Sequence, residues 1–290
     1  MPIAQARRSG SFRDLVAALG APPAVAPAAV TEDRVLATAA GAVPVRLYHP
    51  YAPVRSPPPL LVWMHGGGFV FGDLDDADAT ARMLCAGLGA LVASVDYPLA
   101  PEHPFPAAPD ACRAALDALV GQADGLGFDP GRIGVGGDSA GGNLATVTAL
   151  GAAADGGPAL RVQLLVYPMV DMTGEQPSMR ENGEGYLLSA GRVAWFTRQY
   201  LGEHNRRDPL ASPLHASTLE GLPPAVVVTA DLDPLRDEAE AYATRLRDAG
   251  VTVELTRHDG LIHGFLALTG ASPRSRAALD AAIAATRARL

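Results

Sequence analysis

The sequence predicts an α/β fold in which helices cover both faces of a mostly parallel sheet. From residue 60 onward, short apolar runs alternate with longer segments of helical character. Parallel strands need crossover connections, and helices are the usual form of that connection. Two glycine-rich segments, 65–68 and 137–141, each directly follow an apolar run, which is typical of a strand that ends in a tight turn.

The predicted elements follow one another in a regular order. Two apolar segments separated by a short turn predict a hairpin, 35–38 and 43–48. The later strands are predicted at 60–64, 91–95, 133–135, 162–167, 225–229 and 251–256. The helices are predicted at 11–20, 77–88, 110–120, from 139 onward, 235–249 and 272–290.

One long segment interrupts this alternation. Between Pro168 and Pro223 no strand is predicted, and only residues 190–201 have helical character. An insertion of this length after a strand is typical of a lid over a site. We therefore expect four parts. The amino-terminal segment 1–30 forms part of a cap, 31–170 is the first part of the core, 171–207 is the cap insertion, and 208–290 is the second part of the core.

Composition and charge exclude several classes of partner and mechanism. The chain has 290 residues, 48% of them hydrophobic, which is enough for one large domain. A net charge of −8 argues against binding to nucleic acid or to an anionic membrane, since both require clustered cations. A small-molecule substrate fits better. All basic residues are arginine, so a lysine-based mechanism is excluded.

Cysteine usage and the lack of long apolar runs bear on the compartment. Cys85 and Cys112 are the only cysteines and lie in apolar segments, so we expect two buried free thiols and a reducing environment. Polar residues interrupt the amino-terminal segment, so no signal-peptide core is expected, and no apolar run reaches the length of a membrane span. The sequence thus predicts a cytoplasmic protein without stable membrane anchoring.

A serine lies at the centre of the second glycine-rich segment. Residues 137–141 read Gly-Asp-Ser-Ala-Gly, between an apolar run and a helical segment. This places Ser139 on a sharp strand-to-helix turn, where small residues two positions before and after it leave the hydroxyl uncrowded. The N–H of Ala140 would lie at the start of the helix, where free donors and the helix dipole favour negative charge. A plain glycine-rich turn is the alternative, and the strand-turn-helix context favours a nucleophile.

The first glycine-rich segment, from His65 to Gly68, follows the apolar run 60–64. Consecutive glycines allow backbone N–H groups to converge on one small volume, as in an oxyanion hole. An ordinary βα turn and a phosphate-binding loop are the alternatives, and phosphate binding is disfavoured because neither a Lys-Ser/Thr pair nor a G-x-G-x-x-G spacing accompanies the segment. It therefore predicts donors for an oxyanion.

A serine nucleophile needs a histidine that accepts its proton and an acid that orients this histidine. In the order serine, acid, histidine, four histidines are available after Ser139. The position of His263 in a loop, flanked by glycines and apolar residues, favours it over His258. His204 and His215, in the insertion or at its exit, are interpreted as solvated.

The acid is expected just beyond the strand 225–229, where Asp231, Asp233 and Asp237 compete. Asp237 falls within the predicted helix and points less readily at the end of the sheet. Asp233 precedes Pro234, and an Asp before Pro at the first helical position is typical of a helix N-cap. Local reasoning does not separate Asp233 from Asp231.

Together these segments resemble the bacterial hormone-sensitive-lipase-like carboxylesterases of the α/β-hydrolase superfamily. The matching motifs occur in the family's order from about residue 43 onward, at 65–68, 96–97, 99–102, 137–142, 233–238 and 262–265. The resemblance implies an α/β-hydrolase fold with a small helical cap and a catalytic triad of Ser139, Asp233 and His263. It also implies an oxyanion hole made by the N–H groups of Gly67, Gly68 and Ala140.

The resemblance implies structural roles for two further polar residues, His65 in positioning the glycine loop and Asp138 in bracing the serine turn. The apolar residues near the site are expected to contact the substrate, above all Phe69, Leu187, Leu188 and Ile262, together with Phe71 and Phe265. Neither a metal nor a cofactor is expected, since no cluster of ligating residues has metal-site spacing.

The function implied by the resemblance is that of a serine carboxylesterase that acts on short- to medium-chain acyl esters through an acyl-enzyme. Amide or carbamate hydrolysis and acyl transfer use the same apparatus and stay open. A non-catalytic ligand-binding relative is a further alternative, although loss of catalysis usually shows as a replaced triad histidine, and His263 is present.

Family relatives with the Gly-Asp-Ser-Ala-Gly motif often pair through the sheet edge near the carboxyl terminus. Here that edge is the predicted strand 251–256, whose only charged residue is Glu254. An edge with so little charge is poorly protected against pairing with a second chain, so we predict a homodimer. If the final helix, 272–290, covers this edge instead, the chain stays monomeric.

Overall fold

Eight strands form a single sheet in the computed structural model, which describes residues 30–51 and 55–290. The predicted helix 11–20 and nearly all of the amino-terminal cap segment 1–30 lie outside the described residues. In chain order the strands are β1 (Val30–Thr38), β2 (Gly41–His49), β3 (Leu60–Met64), β4 (Leu91–Val95), β5 (Ile133–Asp138), β6 (Leu160–Val166), β7 (Ala225–Leu232) and β8 (Val253–Ile262).

The strand order across the sheet is β1-β2-β4-β3-β5-β6-β7-β8. Strands β1 and β2 form the predicted hairpin, and β2 pairs antiparallel with β4. Every other neighbouring pair is parallel. The carboxyl ends of β3, β5, β6 and β7 consequently meet at one end of the sheet, which is where open α/β sheets build their sites.

Helices connect the parallel strands and cover both faces of the sheet. In chain order they are α1 (Leu74–Leu88), α2 (Ala107–Val120), α3 (Ala123–Leu126), α4 (Ala140–Ala154), α5 (Pro177–Glu181), α6 (Ala190–Leu201), α7 (Arg236–Asp248) and α8 (Pro273–Arg287), with two short 3-10 turns, Pro213–His215 and Phe265–Leu268. No helix in the described part of the chain combines the length and the apolar character that a membrane span requires.

The sheet separates two cores, and alternating residues of strands such as β3 contribute to both. Along β3, Leu60 and Val62 face the core shared with α2, α4 and α7, whereas Leu61 and Trp63 face the core shared with α1 and α8. Every residue of β3 is buried, as expected for a central parallel strand. Both cysteines are buried and free, as the sequence predicts.

Several strands are longer than the sequence predicts, and the differences are largest at β1, which begins at Val30 instead of residue 35, and at β8. Strand β7 continues to Leu232, and β8 runs from Val253 to Ile262 instead of 251–256. The reason is the pairing between them, which persists past a register shift at Ala230 to Leu232 and ends opposite Ile262. This extension brings Arg257 and Asp259 into the strand, so Glu254 is not its only charged residue.

Candidate active site

Ser139 lies on the turn between β5 and α4 with a backbone φ of 56° and ψ of −118°. A non-glycine residue reaches this region only where surrounding contacts hold it, and such strain is typical of functional turns. The Ser139 N–H donates to the Val166 carbonyl at 2.9 Å, and its carbonyl accepts from the N–H groups of Met169 and Asn143, both at 3.1 Å. Strand β6 and its following loop therefore fix the turn.

Glycine is required in this turn by the close approach of strand β3. A Cβ atom on Gly141 would lie 2.0 Å from the Met64 carbonyl oxygen and 2.5 Å from that of His65. A side chain there would push the start of α4 away from the end of β3. The small residue thus brings the serine turn against the glycine loop that follows β3.

His263 and Asp233 complete a continuous hydrogen-bonded chain with Ser139. The Ser139 Oγ lies 2.9 Å from His263 Nε2, and His263 Nδ1 lies 2.8 Å from Asp233 Oδ2. Asp233 has no exposed surface, and His263 is 6% exposed. The Tyr167 ring packs against the imidazole, with ring centroids 4.7 Å apart. If Nδ1 donates to the carboxylate, Nε2 is free to accept the serine proton.

The two carboxylate oxygens of Asp233 have different partners. Oδ2 faces His263, whereas Oδ1 accepts from the Leu235 N–H at 2.8 Å. The Asp233 carbonyl also accepts from the Arg236 N–H at 3.2 Å, at the start of α7. Capping of the turn and contact with the histidine, which the sequence presents as competing interpretations, thus occur together in one side chain.

The competing residues have other contacts. The Asp231 carboxylate accepts from the Gly260 N–H at 3.4 Å. Asp237 accepts from the Ser178 N–H at 2.8 Å, and His258 lies within β8, where burial lowers its pKa. None of the three contacts Ser139 or His263 through a hydrogen bond among the described residues.

The two histidines of the insertion differ from each other. His204 is exposed, as the sequence predicts. His215 is not a solvated side chain, which corrects that interpretation: its Nε2 lies 3.1 Å from an oxygen of Asp171, a carboxylate that is 2% exposed. The contact forms because Asp171 is buried in the loop after β6, where a buried carboxylate needs polar partners.

The glycine loop after β3 reaches the serine turn through Asp138. The Gly66 N–H donates to Asp138 Oδ1 at 3.0 Å, which links the two glycine-rich segments. Gly67 and Gly68 adopt φ values of 122° and 63°, in the region that favours glycine. In the described part of the chain, no acceptor is bonded to the N–H groups of Gly67, Gly68 or Ala140. These three donors are thus available to an oxyanion.

Burial sets the protonation of the two polar residues beside the loop. Burial raises the pKa of Asp138 to about 6, against the opposing effects of His263 and of the Gly66 N–H. Burial lowers the pKa of His65, which therefore stays neutral near pH 7. The Tyr97 hydroxyl donates to the His65 carbonyl at 2.7 Å, and the two rings stack with centroids 4.3 Å apart. The side chains of Asp138 and His65 thus contact the glycine loop and not the serine hydroxyl.

Helix α6 of the insertion lies directly against the glycine loop. A Cβ atom on Gly68 would come within 2.3 Å of the Phe196 ring. The Phe71 ring packs near both Trp195 and Phe196, at centroid distances of 5.9 and 5.5 Å. The side chain of Ser189 begins the helix by accepting from the Arg192 N–H. The insertion therefore contacts the candidate oxyanion loop through aromatic side chains.

The residues predicted to contact a substrate fall into two groups. Phe69 and Phe265 are at most 1% exposed. The Phe69 ring packs on Tyr200 and the Phe265 ring on Tyr167, so neither ring presents a surface to a substrate. This argues against the substrate contact predicted for Phe69, whose ring is held inside the core by stacking on Tyr200, with centroids 3.8 Å apart. Of the remaining predicted residues, Leu187 and Ile262 are half-buried, and Leu188 and Phe71 are each 8% exposed.

Several residues around the site have no counterpart in the sequence prediction. Glu238 is fully buried, and its Oε1 accepts from the N–H groups of Val170 and Asp171 at 2.7 and 3.1 Å. Burial, and then the nearby Asp171, raises the pKa of Glu238 well above its ordinary value. Ser178 and Asn182 of the insertion contact the Asp233 loop. Glu238 ends the motif 233–238, but no local pattern signals the contacts of these three residues, because each contact joins two elements.

No group of three or more His, Cys, Asp or Glu residues within 30–51 and 55–290 is arranged to hold a metal ion. What the geometry provides instead is a serine hydroxyl, an imidazole against it, a buried carboxylate behind the imidazole and nearby free backbone donors. This set of groups is able to transfer an acyl group to the serine and then to water.

Comparison with known proteins identifies the fold and the family of the chain. A family model described as the alpha/beta hydrolase fold matches residues 61–267. The chain is 45% identical over 258 residues to the carboxylic ester hydrolase LipN of Mycobacterium tuberculosis, covering 87% of this chain and 68% of the relative. It is 41% identical over 230 residues to an ethyl acetate hydrolase of Pseudomonas putida, covering 77% and 71%.

Solved structures give the same result. EstE1, a thermostable carboxylesterase cloned from a metagenomic library, superposes with a TM-score of 0.92 at 40% identity, covering 100% of this chain and 98% of that chain. An esterase of the archaeon Pyrobaculum calidifontis has a TM-score of 0.90 at 38% identity, covering 99% and 94%. The family resemblance and the fold class predicted from the sequence are thereby confirmed, and the chain belongs to the hormone-sensitive-lipase-like family of the α/β-hydrolase fold.

Proposed function

We propose that the protein is a serine carboxylesterase that hydrolyses short- to medium-chain acyl esters through an acyl-enzyme on Ser139. The observation that carries the proposal is the continuous chain from Ser139 Oγ through His263 to Asp233, with contacts of 2.9 and 2.8 Å. A serine hydroxyl is a weak nucleophile unless a base removes its proton as it attacks, and this arrangement supplies such a base.

In the first half of the reaction, Ser139 Oγ attacks the ester carbonyl carbon while His263 Nε2 accepts the hydroxyl proton. The carbonyl oxygen becomes an oxyanion that accepts hydrogen bonds from the N–H groups of Gly67, Gly68 and Ala140. The tetrahedral intermediate then expels the alcohol, which takes the proton from His263. In the second half, water gives a proton to His263, attacks the acyl carbon and releases the carboxylic acid and the serine hydroxyl.

The ester hydrolase names of the relatives support an ester substrate in preference to an amide or carbamate substrate, or to transfer of the acyl group to another acceptor. The presence of His263 against Ser139 argues against a non-catalytic ligand-binding role, since such a role does not require this contact. The half-buried Leu187 and Ile262 favour an apolar acyl or alcohol group. We propose that the insertion 171–207 forms the cap, together with part of 1–30.

The test is a panel of p-nitrophenyl esters of increasing acyl length assayed with the purified protein and with Ser139→Ala. Because triad residues act as a unit, Ser139→Ala and His263→Ala should each lower kcat by about 10⁶-fold. An organophosphonate should add its mass to the folded protein at Ser139 and not to Ser139→Ala. A folded protein that gains no mass, or a Ser139→Ala variant that keeps its activity, would overturn the assignment.

A further inference from the structure

The loop that carries Asp233 is held by the insertion and not by the sheet alone. Pairing between β7 and β8 shifts register between Ala230 and Leu232, immediately before this loop. Pro234 has no N–H to donate, so the loop has few backbone bonds of its own. Its carbonyl groups nevertheless need donors, because buried polar groups without partners are costly.

Two buried side chains of the insertion supply those donors. Asn182, which is 6% exposed, donates from Nδ2 to the carbonyl oxygens of Asp231 and Asp233, both at 3.2 Å. Ser178, which has no exposed surface, donates from Oγ to the Pro234 carbonyl at 2.8 Å. Together the two side chains bond the backbone of Asp233 itself and of residues before and after it in the chain.

Further hydrogen bonds join helix α5 of the insertion to the start of α7, next to the loop that carries Asp233. Ser178 Oγ also accepts from the Asp237 N–H at 3.1 Å, and the Ser178 N–H donates to Asp237 Oδ2 at 2.8 Å. Arg236 bridges the same two segments, since it donates to the Asp231 carbonyl at 3.1 Å and to Glu181 at 2.7 Å. Helix α5 is therefore docked by several hydrogen bonds on residues 231–237, which we call the acid loop.

We propose that Ser178 and Asn182 are positioning residues for the triad acid. They hold the backbone of residues 231–234 so that Asp233 Oδ2 stays against His263 Nδ1 while Oδ1 caps the turn. The proposal rests on the proposed function, because it gives the two residues a role through Asp233. It means that the first part of the cap insertion, which the sequence presents only as a lid, belongs to the catalytic scaffold.

A matched pair of serines separates positioning from a merely structural contribution. Ser212 has no exposed surface, like Ser178. Its Oγ donates to the Arg206 carbonyl at 2.6 Å and accepts from the Met172 N–H at 2.8 Å. Ser178 and Ser212 thus have the same burial and the same number of backbone bonds, but only Ser178 contacts the acid loop.

The experiment compares Ser178→Ala with Ser212→Ala, and adds Asn182→Leu. Both serine variants should lose similar thermal stability. Asn182→Leu should lower kcat by about 10²-fold, as expected for a displacement of about 1 Å at a reacting group, with KM little changed. Ser178→Ala should lower kcat in the same way by a smaller factor, while Ser212→Ala should leave kcat unchanged. Equal kcat values for the two serine variants would overturn the proposal.

A double-mutant cycle with Asp233→Asn supplies the decisive readout. If Asn182 acts only through the Asp233 carboxylate, Asn182→Leu should have no further effect on kcat once that carboxylate is gone. An equal loss in both backgrounds would show a general structural effect and overturn the proposal. The downfield proton resonance of His263 Nδ1 should shift or broaden in Asn182→Leu and stay in place in Ser212→Ala.

The outcomes also separate this inference from the proposed function. If Ser139→Ala keeps its activity, the proposed function fails, whatever Asn182→Leu does. If Ser139 and Asp233 are required but the cycle is additive, only the positioning role fails. Should Asn182→Leu not fold, the serine pair in the Asp233→Asn background gives the same comparison.

Discussion

Asp233 shows how one carboxylate serves two purposes with two oxygens. Oδ1 caps the turn before α7 through the Leu235 N–H, and Oδ2 contacts His263 Nδ1. Replacement by Asn keeps an oxygen for the Leu235 N–H and places an amide group against the imidazole. Because that amide favours the wrong histidine tautomer and removes the charge behind it, Asp233→Asn should lower kcat by about 10⁴-fold.

The neighbouring aspartates provide the controls for this prediction. Asp231→Asn and Asp237→Asn should cost far less activity, since neither side chain is hydrogen-bonded to His263. Thermal unfolding of all three variants should be recorded with the kinetics, so that a folding defect is not taken for a catalytic one. A greater kcat loss for Asp231→Asn than for Asp233→Asn would transfer the role to Asp231.

Asp138 should make the protein less stable as it ionises. Its pKa is raised to about 6 by burial, while an unfolded chain has an ordinary value of about 3.9. The folded state therefore binds this proton more tightly, and its stabilising contribution is complete at low pH and is lost as the pH rises from about 4 to 6. The loss from this one group amounts to no more than about 3 kcal/mol.

The variant Asp138→Asn cannot ionise but keeps an oxygen for the Gly66 N–H. The difference in melting temperature, variant minus wild type, should consequently rise between about pH 4 and 6 and be constant above that range. Thermal melts across this range measure it. A difference that does not change with pH would mean that the Asp138 carboxyl titrates at its ordinary value in the folded state.

Local patterns predicted some site residues and could not predict others. Ser139 and the glycines around it are recognisable because the strained turn demands them within a few positions of sequence. Asp233 is not separable from Asp231 by local reasoning, since its contact with His263 depends on where two loops end. Asn182 is invisible for the same reason, because its partners lie about 50 positions away, across the insertion.

At the scale of elements, helix α6 is the clearest success of the sequence prediction. It occupies residues 190–201 as expected because local signals delimit it, with Ser189 capping its start and Gly202 following its end. The short helix α5 has Pro177 at its first position but no side-chain bond that caps its start, and its five residues dock on the acid loop. Strand β8 was predicted too short because its later residues are ordered by pairing with β7 and not by an apolar pattern.

The position of α6 against the glycine loop leads to a prediction about substrate preference. Leu187 lies two residues before the Ser189 cap and is half-buried, whereas Leu188 is 8% exposed. Leu187→Trp should shift the preferred acyl length in the p-nitrophenyl ester panel without changing the labelling of Ser139 by a small phosphonate. Leu188→Trp should do the same but also destabilise the fold, since a buried site has no room for the larger ring.

Unchanged selectivity in both variants would place the acyl pocket away from residues 187–188. A fall in phosphonate labelling together with a fall in esterase activity would have a different meaning, because it would show damage to the serine turn and not a change of pocket. The Leu187 variant is the cleaner test, as its side chain is the more exposed of the two.

At the scale of the whole molecule, the two ends of the sheet are chemically distinct. The triad lies beyond the carboxyl ends of β5, β7 and β8. At the opposite end, a cleft is lined by five arginines: Arg55, Arg132, Arg161, Arg287 and Arg289. Arg287 ends α8 and Arg289 follows it, and cations there complement the helix dipole. Part of this cluster is therefore explained by the stability of the last helix.

The two outer strands of the sheet are β1 and β8, so the predicted edge near the carboxyl terminus is confirmed. The Ala225 N–H donates to the Thr252 carbonyl, and Val253 is the residue opposite Ala225. In a parallel ladder this leaves the N–H of Val253 pointing away from β7. Two charged side chains of the strand are bonded within the chain, Glu254 to Arg289 and Arg257 to Glu240. These two charges are therefore partly neutralised within the chain and protect the edge strand only weakly against pairing with a second chain.

A second copy of the chain would satisfy these outward groups by extending the sheet across a twofold axis, and we keep the prediction of a homodimer on that ground. A stable dimer of this kind would bury roughly 1,200–2,000 Å².

Light scattering at micromolar concentration should give about twice the chain mass of 29.9 kDa. Val253→Pro removes an outward N–H without removing a bond to β7, so it should return the mass to that of one chain. Val253→Ala keeps that N–H and should remain dimeric. A wild-type mass near 29.9 kDa would rule out the stable dimer, and a Val253→Pro variant that stays dimeric would place the interface elsewhere.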